Sequence, residues 1–573
     1  ILMNLNQEAH FAASPLGVGL DRSTFDRGNS WTSTFNAGRL NCAYWDLVLP
    51  GDTKKLHCKA LVRMTTPLAP VMDDCYLDEW AFFVPWRLVW EHTDEFFGAN
   101  NTSYWIQPQE RTMPMIDVAS SAAKAARYVG DLADQIGIPF YDGTDGTPIT
   151  DGEVNALIFR SYRLIWNEFF RDENTQSPKL VSTADTESDT TLLATLPVNR
   201  VHDYFGSCLP GTQKHEAIKI ALSGFAPVQP IGSTSAYPAK PNDATPYSLE
   251  WTKISDATKY SVASHVGTIA TGSTYSYTVP SGSSSSQNIA PRNLWANMSV
   301  KYDSSSGTGV GIDVNELRAQ VAAQRIYEAL SLGGSRFTEI LQSLWSVTSP
   351  DARLQRPELL AHYRRRISMS EVTQNTPQLP DGDSVTTPLG TVGAFSKTYS
   401  DGLYFEKSFT EYGFCFVVFA VRTARSYCQG ISKLLRAKSM LDFYNPKLAF
   451  IGEQPVYKDE IYAGAEKGVP FGYNEAWAEY RFMPNRVAGY CSTAVPLSIA
   501  HEWTYADKYD SAPTLSDQWM QEGDDRIKRS LAVQEIDPEN HVPAPDFIGQ
   551  FVFDVEDTRA MPVYSVPGLM DHF

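Results

Sequence analysis

The chain has 573 residues, 43% of them hydrophobic and 12% aromatic, and a formal net charge of −18. That length and apolar content suit several domains, or one β-sandwich with large insertions and a sizeable core. The acidic balance argues against a protein that coats a polyanion unaided, because phosphate neutralisation dominates such binding.

In chain order, residues 1–30 read as a polar, Gly-rich arm containing Asp21 to Arg27. Such an arm has little core of its own and is expected to order only against a neighbour. Strand-like text follows at 31–48, 56–64 and 76–84, separated by Pro50-Gly51-Asp52-Thr53, Thr66-Pro67 and Ala69-Pro70. Pro fixes φ and Gly or Asp permits tight reversals, so each cluster turns the chain. Over 152–172, Ile158, Tyr162, Ile165 and Phe169 recur at helical spacing and predict a one-faced helix. Residues 226–305 change character, with no Asp, Glu, Lys or Arg from Tyr260 to Pro291 and a Ser run at 283–286. Tyr275, Tyr277 and Val279 alternate with hydroxyl residues, which favours a small β-rich insertion over a disordered linker. A helix is predicted after Asp313, capped by Glu316, with Ala319, Ala322, Ile326 and Leu330 inward and a stop at Gly333-Gly334. Another covers Arg336 to Trp345. Strand-like text returns at 403–409, 412–421, 472–482 and 546–555. Helices that sit between strands without alternating with them disfavour a doubly wound α/β fold and favour an antiparallel sandwich.

The densest basic cluster is Arg364-Arg365-Arg366, preceded by Tyr363. Facing a nucleic acid, the arginines would neutralise phosphates and Tyr363 would stack a base; facing another subunit, the guanidiniums would pair with acids. Arg526, Lys528 and Arg529 form a second basic group. Trp251, Tyr275 and Tyr277 are candidate receptor contacts on the insertion, or packing for its own core. His57, His202 and His215 show no ligand spacing and read as structural; His501 and Glu502 are adjacent and would point apart in a strand. No GxSxG or phosphate-binding Gly loop occurs, so no catalytic, cofactor or metal site is expected. The seven cysteines are odd in number and lack a CxxC pair, which argues against a disulfide framework and fits a reducing cytosol. No secretory signal or membrane span is evident.

Several worded motifs run along the chain: Asp21 to Arg27, the LPGDT turn at 49–53, the R-M-x-T-P-x-x-P-V-M-D run at 63–73, and FFVP-x-R-x-x-W ending at Trp90. Further on come Arg160 to Asp172, Asp203-Tyr204-Phe205, Gly333 to Glu339, Ser349 to Glu358, Ile451-Gly452-Glu453-Gln454 and Met561-Pro562-Val563-Tyr564. In this order they resemble the major capsid protein of the gokushoviruses, small single-stranded DNA phages of the microvirus family. One departure is His362 to Arg366, where the family commonly runs through a Gly-rich turn. The resemblance implies an eight-stranded antiparallel jelly roll of the viral capsid type, with long loop insertions containing several short α-helices. It implies a T=1 icosahedral shell around a circular single-stranded DNA genome, with core segments 31–225 and 306–573 and the insertion 226–305 projecting near the threefold axis as the host-attachment element. The partners it implies are further copies of the chain, the DNA, a small basic packaging protein, an internal scaffolding protein, a minor DNA pilot protein and a host receptor. The protein would belong to a virion assembled in the host cytoplasm. The alternative is a secreted β-sandwich carbohydrate-active protein, suggested by the aromatic content and the Ser/Thr/Tyr-rich insertion; the absent signal and the motif series argue against it.

Overall fold

The computed structural model describes residues 21–99, 111–140, 152–214, 314–334, 336–375, 390–499, 503–537 and 542–564, with four short strands between 228 and 300. The chain divides into two compact units, residues 1–216 with 325–573, and residues 217–324.

The first unit is built on two antiparallel sheets. Their strands are β1 Ser23–Asp26, β2 Asn29–Phe35, β3 Asn41–Val48, β4 Thr53–Met64, β5 Cys75–Pro85, β6 Glu358–Arg366, β7 Thr398–Ser408, β8 Gly413–Thr423 and β9 Phe547–Arg559. One sheet runs β1, β9, β4, β7, with β2 also paired along β9; the other runs β6, β5, β8, β3. From β2 to β5 the chain alternates between the sheets. It then leaves for residues 86–357, re-enters beside β5 as β6, and alternates again through β9. This is the strand path of a jelly roll, and the mainly β, antiparallel architecture read from the sequence is what the chain adopts.

Burial follows the pleat. Along β9, Phe547, Gly549, Phe551, Phe553, Val555 and Asp557 are buried while the residues between them are exposed, as in a strand with one wet face. In β8 every residue from Gly413 to Val421 is buried, because both faces are covered. On the inner face, Phe419 meets Phe35 at 4.7 Å and Phe551 at 4.4 Å between ring centroids, joining the two sheets. The outer face packs under the 86–198 excursion, where Trp80, Phe82 and Phe416 share a core with Tyr162 and Trp166.

The predicted helix over 152–172 is shorter than expected. Residues 153–155 form a strand, α1 spans Leu157–Ile165, and a wider turn follows in which the Arg171 N–H reaches the Trp166 carbonyl at 2.9 Å. The helices α2 Val314–Gly333 and α3 Phe337–Trp345 lie where expected, yet the inward stripe is not inward: Ala319, Ala322 and Ile326 are exposed and Leu330 is half-buried. Spacing makes a stripe but does not supply what covers it. The expected strand 472–482 ends early. Pro470–Asn474 is extended, but Trp477 takes φ +64° and is buried, donating its indole N–H to the Leu448 carbonyl at 2.8 Å.

Residues 21–30 of the arm order on their own chain, with β1 and the start of β2 paired to β9. Arg22 donates to the Gly51 carbonyl and Thr53 hydroxyl at 2.7 Å each, and Arg27 reaches buried acids, so the arm brings charge to partners already waiting. In the second unit, Val228–Pro230 pairs with Met298–Val300 and Leu249–Thr252 with Lys259–Val262, both antiparallel. The proposed strand around Tyr275 to Val279 lies outside the described residues.

Glu79, on the interlayer face of β5, is fully buried and neither carboxylate oxygen has a hydrogen-bond partner among the described residues. Burial, opposed by the nearby Ser400 hydroxyl and reinforced by the charge of Asp78, pushes its pKa up to about 8 from 4.5. The folded chain therefore holds a proton that the unfolded chain loses above about 4.5, and stability falls as pH rises from there through 8. Urea titrations of wild type and Glu79→Gln should diverge across this interval, the wild type losing a few kcal/mol relative to the variant. A pH-independent difference would contradict the assignment.

Candidate functional site

The arginine triplet lies on β6, at the edge of its sheet, in register with β5: Arg364 opposite Asp78, Arg365 opposite Leu77, Arg366 opposite Tyr76. Consecutive strand residues point to opposite faces, so the three guanidiniums do not converge. Arg364 reaches fully buried Asp78, with Nη2 to Oδ2 at 3.1 Å. Arg422 from β8 approaches the same oxygen at 2.6 Å, and His362 Nε2 stands 3.6 Å from Oδ1 while stacking on Trp80. Burial alone would raise the Asp78 pKa; hydrogen bonds from His362 and Arg364 and the charge of Arg422 hold it well below the ordinary carboxylate range. Arg366 pairs with Asp74 at 2.7 Å. Arg365 is exposed and has no ion pair among the described residues. Tyr363 turns the other way: it packs on the interlayer core, its ring pressed against Gly402 where β7 bulges, so that a Cβ there would lie 2.2 Å from the ring. The structure thus separates the four residues that the sequence groups together.

The second basic group is also occupied. Buried Arg526 pairs with Glu522 at 2.9 Å and Asp507 at 3.2 Å, Lys528 with Asp524 at 2.5 Å, and Arg529 donates to the Ala506 carbonyl at 2.7 Å. Arg425 completes this network against Asp507 and Glu522. Burial opposes ionisation of Glu522, but Arg425, Arg526 and the Thr423 hydroxyl lower its pKa to about 2. His57 Nε2 faces Asp401 at 2.8 Å. Among the described residues no cluster of His, Cys, Asp and Glu is placed to hold a metal ion, and all seven cysteines are free, five of them buried. Trp251 lies opposite Tyr260 in the second unit; Tyr275 and Tyr277 fall outside the described residues.

Several motifs resolve into joints that spacing alone did not reveal. Arg160 of α1 is fully buried against Glu187 at 2.8 Å and donates to the carbonyls of Val89, Ala184 and Thr186, while the Tyr162 hydroxyl donates to the Leu40 carbonyl at 2.6 Å. Glu168, Arg171, Arg336, Thr338 and Arg356 line a cavity of about 350 Å³ where three distant motifs meet. Its arginines are partly answered within the chain: Arg336 meets Glu173 at 2.8 Å and the Arg171 carbonyl at 2.6 Å, and Arg356 meets Asp351 at 3.3 Å, while the Nε of Arg171, Arg336 and Arg356 is buried without a hydrogen-bond partner among the described residues. The cavity is a joint between excursions of the chain.

An antiparallel sandwich of this strand path is an architecture that viral capsid proteins use. The family model described as "Capsid protein (F protein)" matches residues 16–569. The chain is 32% identical to the capsid protein VP1 of Spiroplasma virus 4, over 99% of both chains. It is 31% identical to VP1 of Bdellovibrio phage phiMH2K over 98% of both, and 30% identical to VP1 of Chlamydia phage 1 over 96% of both. The chain belongs to this capsid protein family. The gokushovirus resemblance read from the motifs is borne out, the protein is a virion component of a small single-stranded DNA phage, and it is not an enzyme.

The two readings of the triplet differ in cost. Arg364→Ala leaves Asp78 paired with Arg422, whereas Arg364→Ala with Arg422→Ala leaves the buried carboxylate only His362, at a cost approaching about 3–5 kcal/mol, that of an unpaired buried charge. Arg365→Ala should stay within about 0.5 kcal/mol of wild type. Chemical denaturation of the three variants measures this order, and equal effects would refute it.

Proposed function

We propose that the chain is the major shell protein of a T=1 icosahedral particle, one copy per asymmetric unit, enclosing a circular single-stranded DNA genome. The observation that carries this reading is the outward-facing helix pair. Ile326, Leu332, Phe337, Leu344 and Trp345 are exposed on α2 and α3, Trp345 to 73%. Apolar helical faces left uncovered in one chain call for cover from another. The curated relatives are named capsid proteins, which supports the same assignment.

DNA contact is shared with a small basic protein. The net charge of −18 and the internal pairing of Arg364, Arg366, Arg526 and Lys528 support that division. Arg365 is the member of the triplet left for a phosphate or a neighbouring subunit, and Tyr363 serves packing. An internal scaffolding protein and a minor DNA pilot protein complete the partners during assembly. The insertion 226–305 is the host-attachment element near the threefold axis, with Trp251, Tyr275 and Tyr277 as its receptor-facing aromatics; its hydroxyl-rich, charge-poor text supports this.

Expression with the small basic protein should yield sedimenting particles that hold nuclease-protected single-stranded DNA. Arg365→Glu should lower the DNA content and leave particle yield unchanged; unchanged DNA would remove Arg365 from the interface. Replacing 226–305 by a short Gly/Ser linker should leave particles intact and abolish adsorption to the host. Retained adsorption would refute the attachment role.

A further inference from the structure

Residues 433–451 form three successive single turns, Lys433–Arg436, Met440–Asp442 and Pro446–Leu448. The two cations of the first turn are held by the chain, Lys433 by Glu479 at 3.5 Å and Arg436 by buried Asp459, while Asp442 and Lys447 are exposed. Large apolar side chains of the segment stand outward, with Leu435 at 75%, Met440 at 80% and Phe450 at 100% exposure. The outward set includes Leu441 and Phe443, and it continues across the chain: the Tyr444 N–H meets the Tyr480 hydroxyl at 3.4 Å, and Met483 stands exposed just beyond.

We infer that this surface is a contact with a second copy of the chain, an inference that rests on the shell reading above. Leu435, Met440, Leu441, Phe443, Phe450 and Met483 together leave on the order of 800 Å² exposed. Summed over these side chains, that is of the order of the ~800 Å² that one partner contributes to a standard interface. Charge complementarity points to the same occupant. Exposed Lys438 and Lys447 flank the patch without ion pairs among the described residues, on a chain whose net charge is −18, so another copy offers abundant acid to meet them. Single-stranded DNA fits less well. It stacks on aromatic faces beside cations, whereas Leu435, Met440, Leu441 and Met483 offer no face for stacking and gain from dry, close-packed cover.

The test uses the full chain with Met440→Asp and Phe450→Asp combined. Circular dichroism and thermal melting should match wild type, because neither side chain is covered within the subunit. Sedimenting particles should fall about tenfold or more, as for loss of central anchors. Wild-type particle yield from a folded variant would overturn the inference. So would normal assembly with loss of binding to an oligothymidylate probe, which would assign the surface to DNA. Wild-type chain that forms no particles under the same conditions would overturn the shell reading itself. Should the variant misfold, hydrogen exchange on wild type decides: residues 433–451 should be protected in particles relative to free subunits. Equal exchange in both would sink the contact, and protection already present in the free subunit would mean that the chain covers the surface itself.

Discussion

Lys54 lies between two acids in the sandwich interior. Its fully buried Nζ is 2.6 Å from Asp46 on β3 and 2.6 Å from Asp557 on β9. Arg27 closes the group from the arm, at 2.6 and 2.8 Å from the same two residues. One charge cluster therefore ties the β3 sheet to the β4 and β9 sheet and pins the arm at Arg27 to β9. Burial works against ionised Asp46, and the charges of Lys54 and Arg27 keep its pKa low despite it. Such a group adds little net stability over an apolar replacement, but losing one partner strands a buried charge at about 3–5 kcal/mol. It acts as a register pin: a one-residue slip of β9 would move Asp557 to the wet face.

The same logic recurs outward. Asp78 gathers Arg364 and Arg422, Glu522 and Asp507 gather Arg425 and Arg526, and Glu187 holds Arg160. A chain rich in acid spends much of its basic complement inside, holding loops to a sheet scaffold. What remains outside includes apolar surface on α2, α3 and the turns over 433–451, the surface proposed above to be buried on association.

The strands were legible because pleat alternation and turn residues are local. The LPGDT turn, for example, places Gly51 at φ +89° and lets Asp52 take Arg559 at 2.8 Å, as a Gly-Asp reversal should. For α1 the buried face Ile158, Tyr162 and Ile165 was legible but not the extent, whereas α2 was legible in position but not in facing, since Ile326 looks like a core residue until its neighbours are known. The arginine triplet was misleading for a simpler reason: adjacency in sequence is divergence in a strand. Its acid partners, Asp78 and Asp74, lie nearly three hundred residues earlier, and no spacing rule connects them. The family motifs were legible as a resemblance, but their role as joints at Arg160, Arg336 and Arg356 needed the fold.

The capsid assignment meets its most direct test in the mass and symmetry of what the purified chain forms. Charge-detection mass spectrometry with cryo-electron microscopy of the same sample measures both. The expected result is one closed icosahedral species with a single chain per asymmetric unit and the 433–451 turns at a subunit contact. A monodisperse monomer or small closed oligomer at assembly concentrations, or an open filament, would contradict it.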